Sequence, residues 1–363
     1  MQQKNNLRSS NIELLRIFCG LGIIILHYNN VEIGKAFTFA EGNELKMLIL
    51  FFLESLAIVG VNEFILISGY FLSMRQERSF WQPIKLIIQV ILINLIFTIV
   101  SQLINNSFSI KPLLGCFIPN NYFVILYCIL YIVSPYINLI IMKLSNIGLK
   151  RLVLILVLLF GLYPAFVDLL GEIIGQEIIG LSSIGMYGSQ YGYQIVNFSM
   201  MYVIGSAIRR GIFDKLENRL IIVCLCISII TMILWNTTAR LANFRRLGAW
   251  DYNNPLVIIN AALTFLLFNR IEIKSSFASK NINQLAKGVF TVFLVHGYFL
   301  RFLQIERFVR GNILLLLLHI FISPVILYLI GYIIFVVYDK ASSLVFKPIS
   351  KKYSLLIDYR ITD

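Results

Sequence analysis

The chain has 363 residues, of which 58% are hydrophobic and only 13% are charged. Soluble domains carry about 25% charged residues, so this chain has too few polar side chains to cover a soluble globule of its length. The formal net charge of +13 would suit a nucleic-acid-binding protein. However, no basic and aromatic cluster lies on a polar segment, so nucleic acid is not an expected partner. We therefore expect an integral membrane protein whose immediate partners are membrane lipids.

Ten apolar stretches follow one another along the chain, and a helix needs about 20 apolar residues to cross a bilayer. The predicted fold is an all-α polytopic bundle of about ten transmembrane helices, with a membrane domain over residues 1–340 and a short basic tail over 341–363. The second stretch has Gly60 near its middle, where a tilt or kink is expected. The stretches lie near residues 12–30, 45–73, 84–104, 122–142, 150–171, 194–211, 219–236, 254–270, 286–303 and 313–338.

The lysines and arginines are distributed unevenly between the connecting segments. With the N-terminus placed in the cytoplasm, the cytoplasmic segments hold 21 of the 31 and the outer segments hold 9, while Arg16 lies within the first span. Positive residues concentrate on the cytoplasmic side of membrane proteins. The distribution predicts that both termini are cytoplasmic in a multi-pass protein of the cell membrane, for which we expect the bacterial cytoplasmic membrane.

The first span, ELLRIFCGLGIIILHYNN, contains two ionisable side chains, Arg16 and His27. An ionisable group near a helix centre costs about 2.5–3.5 kcal/mol on insertion scales. Their spacing of 11 residues places both on one face of the helix, about 16 Å apart along its axis. Each alone has an ordinary explanation, as a snorkelling arginine or a packing histidine. Together they predict a polar stripe facing a single shaft that connects both side chains.

From this spacing onward the chain resembles acyltransferase family 3, whose members are membrane proteins that O-acetylate sugars and polysaccharides. Arg16, ten intervening residues and His27 resemble the N-terminal hallmark of that family. Arg75 and Arg78 resemble its Arg-x-x-Arg motif, and Tyr122 stands where the family usually has tryptophan. Further similar blocks, in the same order, are GVNEFILISGYFLS from Gly60, NYFVILYCILYIVSPYIN from Asn121, NFSMMYVIGSAIRR from Asn197 and FTVFLVHGYF from Phe290.

The resemblance implies transfer of an acetyl group from cytosolic acetyl-CoA to a hydroxyl of a cell-surface glycan or its lipid-linked precursor. Arg16, Arg75 and Arg78 are expected to bind the phosphates of coenzyme A by charge-assisted hydrogen bonds. The last two would share a face if their helix continues. His27 is the expected catalytic residue, either as general base in a direct transfer or as nucleophile in an acyl-imidazole route. No metal is expected.

Two further ionisable residues inside predicted spans are candidates for the catalytic site. Glu63, in the second span, could orient His27 as a carboxylate orients the histidine of a catalytic triad. An ion pair with another buried group would explain Glu63 equally well. His296, in the ninth span, could approach the same shaft, or it could serve as a structural hydrogen-bonding residue.

The outer segments carry arginines in two places, 240–246 and 301–310, against the general charge bias. Solvated loops or contacts with lipid phosphates would explain them. The alternative is a surface that binds an anionic acceptor, and we assign Arg245, Arg246 and Tyr122 to that acceptor.

A glycan-lipid flippase or exporter without acyl chemistry is the alternative function, because buried charge suits a transporter equally well. A polysaccharide polymerase would favour a large outer loop rich in arginine and histidine. Residues 172–193 form the longest predicted loop and contain neither residue type. The identity of the short acyl group, the acceptor hydroxyl and any homo-oligomer are left open by the sequence.

Overall fold

The computed structural model of the protein describes residues 9–119, 121–176, 178 and 190–360. Most of these residues are helical, and two short strands accompany the helices. A π-helical turn, Leu158–Leu162, joins two of the helices, and short 3-10 turns lie at Gln190–Gly192 and Gly248–Trp250. The helices are α1 (Ser10–Asn29), α2 (Ala36–Phe39), α3 (Glu44–Ala57), α4 (Gly60–Leu72), α5 (Trp81–Ile104), α6 (Ile110–Gly115), α7 (Tyr122–Lys143), α8 (Asn146–Val157), α9 (Tyr163–Ile174), α10 (Ile195–Arg209), α11 (Asn218–Leu241), α12 (Pro255–Asn269), α13 (Ser276–Ala286), α14 (Val289–Leu300), α15 (Ile305–Arg310) and α16 (Ile313–Ile357), and the strands are β1 (Glu77–Ser79) and β2 (Asp358–Arg360).

Each predicted span contains a helix of the structure. Within the described ranges, seven helical segments are long and apolar enough to cross a membrane, and α10 and α14 are shorter apolar helices. The all-α polytopic membrane fold is therefore confirmed, whereas the number of crossings and the side of the termini stay predictions. We call the side on which α1 begins the inner side and the opposite side the outer side.

The second predicted span is interrupted near Gly60, where the sequence predicts a kink. α3 ends at Ala57 and α4 begins at Gly60. A Cβ at Gly60 would lie 3.2 Å from the carbonyl oxygen of Cys19, and one at Gly22 would lie 3.3 Å from that of Ala57. The two small residues thus let α1 run antiparallel to this helix pair at close range. The same register places residue 63 at the level of residue 16.

The first helix occupies the centre of the bundle. α1 contacts α3, α4, α12, α13, α14 and α16. One hydrophobic cluster joins it to α4, α7, α10 and α12, and a second joins it to α3, α14 and α16. α4 and α10 touch backbone to backbone, since a Cβ at Gly69 would overlap the carbonyl of Tyr202. Side chains of α1, α4, α7 and α14 consequently meet in a common interior.

The segment predicted as a short basic tail continues the last helix. α16 extends to Ile357, and the predicted boundary at residue 340 falls inside it. β2 then pairs antiparallel with β1, with Arg78 opposite Tyr359. The end of the described chain therefore lies against the turn that follows α4.

Candidate active site

His27 of α1 and His296 of α14 form a side-chain pair within the bundle. Nδ1 of His27 and Nε2 of His296 are 2.5 Å apart, and the two rings stack with centroids 4.7 Å apart. His296 is 2% exposed, and its Nδ1 lies 3.0 Å from the carbonyl oxygen of Val292. His27 is half-buried. The structure brings together the two histidines that the sequence proposes for the catalytic site.

The backbone carbonyl of Val292, at the end of the hydrogen-bonded series His27–His296–Val292, determines which ring nitrogens carry protons. The Val292 oxygen can only accept, so His296 carries its proton on Nδ1, and Nε2 of the neutral ring is then an acceptor. His27 must donate from Nδ1, which leaves a free lone pair on its Nε2. No hydrogen bond reaches that nitrogen from the residues that the structure describes. Nε2 of His27 is therefore the nitrogen available as base or nucleophile, and His296 has the place of the carboxylate in a triad.

The buried carboxylates of α3 and α4 are not hydrogen-bonded to Nδ1 of His27, the position that a triad carboxylate would occupy. Glu63 is fully buried, and the register between α1 and α4 puts it at the level of Arg16, about 16 Å inward of His27 along the helix axis. Glu54 accepts a hydrogen bond of 2.8 Å from Asn29. The role foreseen for Glu63, orienting His27, thus belongs to His296 in this structure.

A cavity of about 710 Å³ runs along α1 from the inner side. Its lining residues on α1 extend from Ser9 to Ile23, which corresponds to about 21 Å of helix. Its wall combines basic side chains with aromatic and aliphatic ones. This combination suits an elongated ligand with an anionic head and a slender, less polar arm.

Three cations border the inner part of the cavity, Arg16, Arg75 and Lys287. Nε of Arg16, whose side chain is 36% exposed, lies 3.9 Å from a carboxylate oxygen of Glu13. Arg75 and Lys287 are exposed. Two of the three arginines expected to bind phosphate therefore line the cavity. Sequence reasoning misses Lys287, because the charge bias of cytoplasmic segments explains a lysine at this position equally well.

Three phenylalanines among the lining residues form a chain of ring contacts that leads to His296. The rings of Phe64 and Phe123 are 6.1 Å apart, and those of Phe123 and Phe293 are 5.5 Å apart. Phe293 in turn lies 6.3 Å from the ring of His296. Arg16 lines the cavity and His27 is not among its lining residues, so the cavity does not form the single shaft to His27 that the sequence predicts. Phe293, which lines the cavity, packs against His296.

Arg78 points into the protein. α4 ends at Leu72, so Arg75 and Arg78 do not share a helical face. Arg78 is 3% exposed and donates to oxygen atoms of its own chain. It is not among the residues that line the cavity. The structure therefore gives no support to Arg78 as a phosphate ligand.

The two outer arginines assigned to the acceptor differ in their surroundings. Arg246 hydrogen-bonds Asp251 and lies 3.5 Å from Asp168, and its guanidinium is 4.4 Å from the ring centre of Tyr191. Burial raises the pKa of Asp251 to about 7, and Arg246 opposes this shift. Arg245 is exposed, and its guanidinium donates to the carbonyl of Gly175 at 3.1 Å. Arg246 is thus engaged with carboxylates of the protein, whereas Arg245 has one backbone acceptor and is accessible to solvent.

Tyr122 belongs to a tyrosine cluster on the outer side. Its ring meets that of Tyr193 edge-on at 4.5 Å, and Tyr193 meets Tyr252 in the same way at 5.1 Å. Tyr122, Tyr191 and Tyr193 are 37%, 49% and 40% exposed. The neighbouring Phe123 belongs to the chain of ring contacts that leads to His296, so the cluster connects the outer surface to the vicinity of the histidine pair.

Comparison with known proteins gives one family for almost the whole chain. A family model described as an acyltransferase domain matches residues 9–343. No curated protein and no solved structure matches the chain. The matched range includes α1, the histidine pair and all the residues that line the cavity.

Proposed function

The chain belongs to acyltransferase family 3, and we propose that it transfers an acetyl group from cytosolic acetyl-CoA to a hydroxyl of a cell-surface glycan or its lipid-linked precursor. The family and the apolar helices make it a multi-pass membrane acyltransferase. The donor, the acceptor and a location in the bacterial cytoplasmic membrane are parts of the proposal. A second short acyl group would follow the same chemistry.

The observation that carries the proposal is the histidine pair beyond the end of a basic cavity. Nδ1 of His27 donates a hydrogen bond of 2.5 Å to His296. Nε2 of His27 is therefore unprotonated, and its lone pair points away from His296. A flippase or exporter that does not move protons needs no such arrangement, whereas acyl transfer to a hydroxyl requires a positioned base or nucleophile.

The cavity fits the chemistry of the donor. Arg16, Arg75 and Lys287 line its inner part, where they would bind the phosphates of coenzyme A by charge-assisted hydrogen bonds. The remaining length, from Arg16 to Ile23, provides an apolar and aromatic wall for a slender arm. Phe293 lines the cavity and packs against His296, so the acyl group would pass beside this ring to reach His27.

The proton transfer can be assigned to one nitrogen. In a direct transfer, Nε2 of His27 takes the proton of the acceptor hydroxyl as the new C–O bond forms and the C–S bond breaks, and that proton then returns to the departing thiolate. In the acyl-imidazole route, the same nitrogen attacks the thioester carbonyl, the C–S bond breaks and coenzyme A departs as the thiolate. The sugar hydroxyl then attacks the acyl carbon, the C–N bond to His27 breaks, and the hydroxyl proton passes to the thiolate. In both routes, Nε2 of His296 accepts the hydrogen bond from Nδ1 of His27 and stabilises the positive charge that develops on His27.

The acceptor is proposed to approach from the outer side, over the tyrosine cluster. Tyr122 and Tyr193 offer exposed ring faces and edges, and aromatic rings combine apolar contact area with a hydroxyl for hydrogen bonding. Arg245 remains accessible to an anionic group on the glycan. Arg246 supports this surface through its carboxylate partners.

Transfer of radiolabel from acetyl-CoA to the isolated surface glycan tests the proposal in cells that express the full chain. His27→Ala should lose transfer by about 100- to 10,000-fold, the usual contribution of general acid–base catalysis, at unchanged membrane abundance. His319→Asn is the matched control, since His319 lies outside the pair and accepts a hydrogen bond from Tyr28 at Nδ1. Wild-type transfer by His27→Ala would refute the catalytic assignment. Movement of glycan lipid without label would favour the flippase.

A further inference from the structure

The turn after α4 carries Arg75 into the cavity, and a buried polar cluster holds this turn. α4 ends at Leu72, and β1 begins five residues later at Glu77. Arg75 lines the cavity and is exposed, and no hydrogen bond from its side chain reaches another described residue. The position of this guanidinium therefore depends on what fixes the backbone of the turn.

Arg78 donates to three backbone carbonyls at the end of α4 and in the following turn, and to one side chain each on α7 and α10. A guanidinium has five N–H donors. Nε donates to Ser134 Oγ at 2.9 Å, and NH1 donates to the carbonyls of Arg75 at 3.1 Å and Glu77 at 2.8 Å. NH2 donates to the carbonyl of Leu72 at 3.1 Å and to the hydroxyl of Tyr202 at 3.4 Å. Five donors meet five acceptors of the protein, so none remains for a ligand.

Asn138 of α7 donates to two of these carbonyls, those of Leu72 and Arg75. Its amide nitrogen donates to Leu72 at 2.8 Å and to Arg75 at 2.7 Å, and its amide oxygen accepts from Tyr202 at 2.9 Å. Asn138 is 0% exposed and Tyr202 is 1% exposed. The last carbonyls of a helix have no partner within it, and a cation beside them is favourable. Arg78 and Asn138 together cap α4 and fix the turn.

We propose that Arg78 is a positioning residue: it holds the backbone carbonyl of Arg75 and thereby keeps the Arg75 side chain on the cavity wall. The inference rests on the proposed function in one respect, that Arg75 binds the phosphates of the donor. The two arginines of the motif then have different tasks, one facing the ligand and the other facing the backbone that presents it.

A double-mutant cycle with coenzyme A as the probe separates this role from direct phosphate binding. The full chain is purified, and its affinity is measured for wild type, Arg75→Ala, Asn138→Ala and the double variant. Arg75→Ala and Asn138→Ala should each weaken binding by about 10- to 100-fold, the worth of a hydrogen bond to a charged group. The double variant should be no weaker than Arg75→Ala, because Asn138 acts only through Arg75.

Arg78→Lys provides the second variant, since it keeps the charge but has three donors on a flexible stem. It should weaken binding as Asn138→Ala does, whereas a phosphate contact that depends on the positive charge alone would survive this change. Multiplicative losses in the double variant, or unchanged affinity in both Asn138→Ala and Arg78→Lys, would overturn the inference.

Hydrogen exchange of the backbone amides of residues 73–79 tests the turn without any ligand. Asn138→Ala and Arg78→Lys should exchange faster there than wild type. Asn197→Ala is the matched control, because it removes a buried amide that donates to Asn62 at 3.2 Å elsewhere in the bundle. If the wild-type protein does not bind coenzyme A, the proposed function is refuted, while the positioning role is still tested by the exchange rates. Unchanged exchange in both variants would overturn the positioning role.

Discussion

Replacing His296 should damage catalysis without touching donor binding. In the structure, Nε2 of His296 accepts a hydrogen bond from Nδ1 of His27 at 2.5 Å. His296→Ala removes this acceptor, so that His27 can carry its proton on Nε2 and is free to rotate. During reaction the bond is made to a developing imidazolium, and a hydrogen bond to a charged group is worth about 1.5–3 kcal/mol. The expected loss in kcat is therefore about 10- to 100-fold.

The assay is the initial rate of label transfer from acetyl-CoA to the isolated glycan at varied donor concentration. Because His296 does not line the cavity, the KM for acetyl-CoA should stay within about twofold of wild type. His296→Gln places a carbonyl oxygen near the former Nε2 and should recover part of kcat. The variant without both histidines should be no slower than His27→Ala, since His296 acts through His27.

Two results would refute the paired-histidine reasoning. One is a kcat for His296→Ala within about twofold of wild type, which would mean that the hydrogen bond of the structure does not orient the base. The other is a double variant far slower than His27→Ala, which would give His296 chemistry of its own. Equal loss of protein in the membrane for His296→Ala and His296→Gln would instead identify a packing role.

The outer arginines and the aromatic lining of the cavity give two further predictions. Arg246→Ala leaves Asp168 and Asp251 without their cation and should lower the thermal unfolding temperature of the purified protein. Arg245→Ala should leave that temperature unchanged and weaken only the preference for acidic over neutral glycans. Equal melting curves for the two variants would contradict this division. Phe293→Ala removes a ring that lines the cavity and packs against His296. It should raise transfer from butyryl-CoA relative to acetyl-CoA by about tenfold, while Phe290→Ala, one helical turn away, should not. An unchanged donor preference would show that the ring does not limit the acyl chain.

The sequence predicts well those features that depend on one helix at a time. Apolar length gives the spans, and the spacing of Arg16 and His27 gives their common face, because both follow from the geometry of a single helix. His296 could be named as a candidate for a similar reason: it is an ionisable residue inside an apolar run, which is rare without a partner. Its partner could not be named, because the pairing depends on how α1 and α14 pack.

Features that depend on the packing of two helices, or on where a helix ends, could not be predicted from the sequence. Glu63 was expected near His27, but the contact of Gly60 with Cys19 sets the register between α1 and α4 and moves it to the level of Arg16. The end of α4 at Leu72 is equally hidden, since neither glycine nor proline marks the segment Ser73–Arg78. Arg78 and Asn138 both donate to the last carbonyl of α4, that of Leu72, and so favour the end of the helix there. The residue that sequence reasoning assigned to the ligand is therefore the one whose donors are used up in stopping the helix.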